Sequence, residues 1–160
     1  MKQRLPLFET LAAVLAVAAV AFLTALPNSG EKGEKNVELL DSLSVMRTAV
    51  FRFSMDHQDQ GMPMMPGREG LDVGDQLVSR SRADGSFNVV GEFEDRHCGP
   101  YLESLPVNPV NGLSSIRSMP ISYNAPVLNG SAGWVYVPAT GKIFADLPGV
   151  DSRGVAFLEY

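Results

Sequence analysis

Apolar side chains fall into three regimes along this chain. Between Leu5 and Leu26 they are almost continuous: from Leu11 onward only Thr24 is polar, although Glu9 stands two positions before that run. Those 22 residues, as a helix rising about 1.5 Å per residue, would extend roughly 33 Å and cross a hydrocarbon core of about 30 Å. Asn28 to Gly33 is polar and contains glycine, a break at which a helix is expected to be interrupted. The spacing then changes. Val37, Leu40, Leu43, Met46, Val50 and Phe53 recur at intervals of three and four, which predicts an amphipathic helix from Glu34 to His57 with this face buried. Its acids lie early (Glu34, Glu38, Asp41) and its arginines late (Arg47, Arg52), in keeping with the helix dipole, and Gly61 and Pro63 end it.

The last hundred residues are dense in turn formers and read as short strands. "LVSRSRADGSFNVVGEF" predicts two extended runs around an Asp84-Gly85 turn, and "GWVYVPATGKIFAD" predicts a second hairpin turning at "PATG". In the latter, Trp134 and Tyr136 face one side and Val135 and Val137 the other. "PISYNAPV" and "VAFLEY" are further candidate strands. "CGPYLESLPVNPVNG" holds Pro100, Pro106 and Pro109, so a fixed irregular loop is expected, with a helical turn at Tyr101 to Ser104. The fold class expected is α+β: a long N-terminal helix, half membrane-spanning and half amphipathic, packed on a small antiparallel sheet. Two parts follow, 1–27 as a transmembrane helix with a short cytoplasmic tip and 28–160 as an extracytoplasmic domain.

Charge fixes orientation and removes one class of partner. Lys2 and Arg4 precede the apolar run and hold that end in the cytoplasm, so the chain is expected in the inner membrane, single-pass, N-terminus inside and domain outside. Of 13 basic and 18 acidic residues, 11 and 17 remain beyond Leu26, a balance of −6 that disfavours nucleic acid. A cleaved secretory signal is the competing reading, with "MKQR" as its basic tip and Leu23-Thr24-Ala25 as the cut. Against it stand Glu9 and the small-xxx-small pairs Ala12/Ala16 and Ala21/Ala25, which allow close approach of helix backbones.

Candidate chemistry is sparse. Asp56, His57 and Asp59 lie together in "MDHQDQ", where a solvated helix end outweighs a metal site. Cys98 beside His97 has no evident activating base, and as a lone cysteine it forms no intramolecular disulfide. No nucleophile elbow, phosphate loop or zinc-protease motif occurs, so no catalytic residue and no enzyme activity is expected. Trp134, Tyr136 and Tyr123 could form a binding face, but aromatic residues on a small sheet are better placed as core.

In this order the elements resemble the type IV pilin and type II secretion pseudopilin family, of the major-pseudopilin type. The resemblance rests on "RLPLFETLAAVLAVAAVAFLTALPN", "MRTAVFRFSMDHQDQGMP", "GPYLESLPVNPVNG" and "GWVYVPATGKI". It implies a structural subunit of a pilus or pseudopilus that assembles with other such subunits through its apolar helix. The alternative is a membrane-anchored or secreted envelope binding module that does not polymerise. In the family a prepilin peptidase cuts before the apolar helix, usually after glycine, and the fifth mature residue is glutamate. Matching that glutamate to Glu9 makes Leu5 the first mature residue and Arg4 the residue before the cut. Arg4 thus departs from glycine, and Pro6 becomes the second mature residue, which leaves processing and N-methylation open; Pro27 approximates the family's helix-breaking proline. The resemblance gives Glu9 the role of pairing with a neighbour's N-terminal amine; the residue alone allows a solvated carboxylate at headgroup level. No cofactor is expected, with calcium the open alternative, because some relatives hold it in a loop near the C-terminus. The acids available there, Asp146 and Asp151, form no run of oxygen ligands and are expected as surface residues.

Overall fold

The structure, a computed structural model, describes residues 29–87 and 98–160. Arg4, Leu5, Glu9, Ala12 and Ala16, the apolar run, His97 and the far side of the Asp84-Gly85 hairpin lie outside the described residues. Residues Gly33–Tyr160 pack as one unit of mixed α+β type, a long helix with small sheets. Helix α1 runs Ser29–Asp56. It includes Ser29 to Gly33, where a break was expected; the cost of glycine in a helix, about 1 kcal/mol each, is one that neighbouring Glu and Lys residues tolerate.

The buried face of α1 is offset from the predicted one at its start. Leu43, Met46, Val50 and Phe53 are buried as expected, but Val37 and Leu40 are exposed, and Asn36 and Leu39 take their places. Asn36, Leu39, Leu43, Met46, Val50, Phe53 and His57 then form one stripe at alternating intervals of three and four. Asn36 belongs to it because its side chain donates to Asp151 at 3.2 Å, 115 residues away.

After α1 the chain makes a two-residue hairpin, β1 (Gln58–Asp59) against β2 (Met62–Pro63), with Gln60 and Gly61 both at positive φ as a type I′ turn requires. A 3-10 turn at Arg68–Gly70 leads to helix α2, Val73–Val78, capped by the Asp72 side chain, which accepts from the Asp75 N–H at 2.9 Å. Leu77 and Val78, expected in a strand, are therefore helical. Asp84 and Gly85 do occupy a tight turn, but among the described residues the only strand-like pairing beside it is the single bridge between Ser81 and Cys98.

The main sheet has three strands in the order β3-β4-β5: Ile116–Ser118, Trp134–Val137 and Lys142–Ala145. The β4-β5 hairpin forms in the predicted place, with Trp134 paired to Ala145 and Val137 to Lys142. Trp134 and Tyr136 enter the core under α1, and Val135 and Val137 join a smaller cluster with Met119 on the opposite face. Strand β3 runs parallel to β4, which corrects the all-antiparallel expectation. The intervening 119–133 segment is long enough for the crossover that parallel pairing needs, and it has no strand of its own where "PISYNAPV" suggested one. "VAFLEY" forms a 3-10 turn at Phe157–Glu159, and Tyr101 to Ser104 form bends without a helical turn.

The proline-rich loop is fixed from its own side chains. Buried Asn108 donates to the Gly133 carbonyl at 2.9 Å, and the indole N–H of Trp134 donates to the Pro106 carbonyl at 2.9 Å. The loop lies so close to the entry of β4 that a Cβ on Gly133 would stand 2.1 Å from the Leu113 carbonyl oxygen.

Candidate functional site

The side of α1 turned away from the core carries no charge along its centre. Gly33, Val37, Leu40, Ser44, Thr48, Phe51 and Met55 follow one another at intervals of three and four, and all are exposed. The large members are conspicuously so: Val37 is 61% exposed, Phe51 63% and Met55 55%. Asp41 and Arg52 border this stripe on one side and Arg47 on the other, by the 100° step of the helix. At its C-terminal end the stripe opens onto a depression of about 370 Å³ walled by Phe51, Arg52, Met55, Pro100 and Tyr101. Two exposed apolar pairs, Val37 with Leu40 and Phe51 with Met55, are thus joined across the uncharged Ser44 and Thr48. Sequence reading missed this stripe because α1 is apolar on two faces, and Val37 and Leu40 were assigned to the wrong one.

The residues considered for chemistry point in separate directions. His57 is fully buried rather than solvated: it stacks on Phe53 at 3.8 Å between ring centres, its Nδ1 lies 2.7 Å from the Phe53 carbonyl and its Nε2 2.8 Å from the Ser81 hydroxyl. A carbonyl only accepts, so Nδ1 carries the proton and both ring nitrogens are engaged. Asp56 accepts from the Tyr101 hydroxyl at 3.0 Å, and Asp59 pairs with Arg68 at 2.6 Å. Among the described residues no group of three His, Cys, Asp or Glu side chains is placed to hold a metal. Burial, with the Asp56 charge added, pushes the Cys98 thiol up, the opposite of what a nucleophile needs. Compared with family models, curated proteins and solved structures, the chain matches none.

Asp146 and Asp151 are interior residues, contrary to expectation. Asp146 Oδ1 accepts from the N–H groups of Asn129 and Gly130 at 2.8 and 3.2 Å, and Oδ2 accepts from that of Ala132 at 3.1 Å. Arg117 approaches both oxygens, through Nη2 at 3.1 Å and Nε at 3.4 Å. Asp151 is enclosed likewise: Oδ1 accepts from the N–H groups of Arg153 and Val155 at 2.7 and 2.9 Å, and Oδ2 from Arg153 Nε at 2.8 Å, from Asn36 and from the Tyr160 hydroxyl. Burial pushes both carboxyls up, but these donors outweigh it and hold both below the usual carboxylate range. The calcium implied by resemblance does not fit: neither carboxylate has a lone pair left to give an ion.

Proposed function

We propose that this chain is a structural subunit of a pilus or pseudopilus, held in the inner membrane by Leu5 to Leu26 and assembling by helix packing. The observation that carries the reading is the uncharged exposed stripe of α1 from Gly33 to Met55. In sequence six residues separate it from the apolar run, so one segment would present apolar surface to lipid first and to neighbouring helices beyond a short polar stretch. The α+β domain, a long helix laid on a small sheet, supports the same reading, as does the sequence resemblance. The small-xxx-small pairs at Ala12/Ala16 and Ala21/Ala25 would let helices approach in the membrane, and Glu9 would set their register by pairing with the amine at Leu5 of a neighbour.

The test is cysteine crosslinking of the full-length protein in native membranes. In a Cys98→Ala background, Phe51→Cys and Met55→Cys should give ladders of dimers and higher species, whereas Lys142→Cys on the exposed edge of β5 should give none. Monomer from all three would favour an envelope module that does not polymerise. Sequencing the mature N-terminus separates the remaining cases: a start at Leu5 accompanies pilin-type processing, a start at Leu26 a secreted module, and an intact Met1 a permanent membrane anchor.

A further inference from the structure

Between β3 and β4 the chain leaves the sheet at Met119 and returns at Ala132, and one ion pair, Arg117 with Asp146, meets both ends of this excursion. Arg117 Nη2 donates to the Val127 carbonyl at 2.6 Å, Nη1 lies 3.3 Å from the Met119 sulfur, and the guanidinium takes both oxygens of Asp146. Asp146 in turn gathers the N–H groups of Asn129, Gly130 and Ala132, three donors within four residues. The loop thus turns three N–H groups onto the Asp146 carboxylate and the Val127 carbonyl onto the cation that neutralises it, and here the cation is covalently part of the chain. We propose that Arg117 is the resident cation of the 127–132 loop, occupying the charge position that a divalent ion would fill, so that the loop is ordered without metal and has no capacity to take one up.

Three features support this. Asp146 is fully buried, so its charge needs a permanent partner, and a guanidinium stays protonated at every pH a cell meets. The planar fork meets the two carboxylate oxygens through separate nitrogens, a side-by-side geometry that the single nitrogen of an ammonium does not supply. The second acidic position, Asp151, has its own protein-borne cation in Arg153, so the two aspartates are separately neutralised and are not free to converge on one ion. The inference is independent of whether the chain assembles into a filament.

The experiment follows thermal unfolding of the full-length protein in detergent, with EDTA and with millimolar calcium chloride. The wild type should melt at the same temperature in both. Arg117→Ala should lose several degrees, and millimolar guanidinium, far below denaturing concentrations, should restore part of that loss while equimolar sodium does not. If Arg117→Ala does not accumulate, Arg117→Lys serves: it should melt between wild type and Asp146→Asn, because charge is kept and the fork is lost. A wild-type midpoint lowered by EDTA or raised by calcium, with the response gone in Asp146→Asn, would overturn the proposal. So would an Arg117→Ala protein that melts like wild type.

Discussion

Ionised carboxylates held by N–H groups and guanidinium make stability depend on acid. Asp146 and Asp151 both have folded values below their unfolded ones. Each therefore contributes stability that is fully present above the unfolded value of about 4 and is lost as pH falls through the lower folded value. The melting temperature should be flat from neutrality to about pH 5 and drop below about pH 4; in Asp151→Asn the drop should be shallower, with a lower plateau. An equal slope in the variant would remove Asp151 from the account. Tyr136 offers the opposite kind of test, since its buried hydroxyl has no hydrogen-bond partner among the described residues and burial pushes its pKa up. Tyr136→Phe should melt at the wild-type temperature or above it, because the hydroxyl contributes only a desolvation cost. Ser81→Ala, which strips the buried His57 of one partner, should cost about 1–3 kcal/mol by denaturant titration. The burial of Tyr136 is expected from the alternation along β4, whereas that of His57, Asp146 and Asp151 is not legible in the sequence. A buried His or Asp is distinguished from an exposed one by partners 14 to 115 residues away, and no local spacing encodes them.

Adjacent residues on α1 should behave in opposite ways, because the helix separates them by 100°. Val50 faces the sheet and Phe51 faces away. Val50→Asp buries an unpaired charge and should destabilise the domain by several kcal/mol, seen as a large fall in melting temperature. Phe51→Asp should leave the melting temperature nearly unchanged while abolishing the Met55→Cys crosslinks; a joint loss of both would mean that Phe51 supports the fold instead. The helix and the β4-β5 hairpin were legible because each declares itself locally, through a run of three-and-four spacings in one case and strict alternation around "PATG" in the other. Gly141 there adopts φ 65°, the positive value its turn requires. Helix α2 and strand β3 were not legible, since six and three residues are too short for a period to register, and each is held by its neighbours. The Asp72 cap was the one available signal for α2, weakened by Val73 and Gly74 immediately after it.

For the whole molecule, the consequence of the assembly reading falls on Glu9. Glu9→Leu removes the acid from the apolar segment while its alanine pairs remain, so the protein should still fractionate with membranes yet lose crosslinking between neighbouring helices. Crosslinking equal to wild type would reject a pairing role and leave Glu9 as a solvated headgroup residue. Arg4→Gly is the companion variant: if it improves processing and the processed form gains Glu9-dependent crosslinks, the amine at Leu5 is the partner. The mixed α+β character of the residues beyond the apolar run was readable from their hydrophobic pattern. The way the domain closes on itself was not, because it depends on contacts between its first helix and its last residues.

Those contacts set a clock. Asn36 reaches Asp151 across 115 residues, and Arg47 donates to the Tyr160 main-chain oxygen across 113. At ribosomal rates of about 5–20 residues per second, the start of α1 waits on the order of ten seconds for its partners to be synthesised. Until then its inner stripe has no sheet to cover it, and pairing over such separations is slow even once the chain is complete. On the export proposed above, the nascent polypeptide would be drawn through the bilayer as a loose thread and would lock only once residues 151–160 had followed.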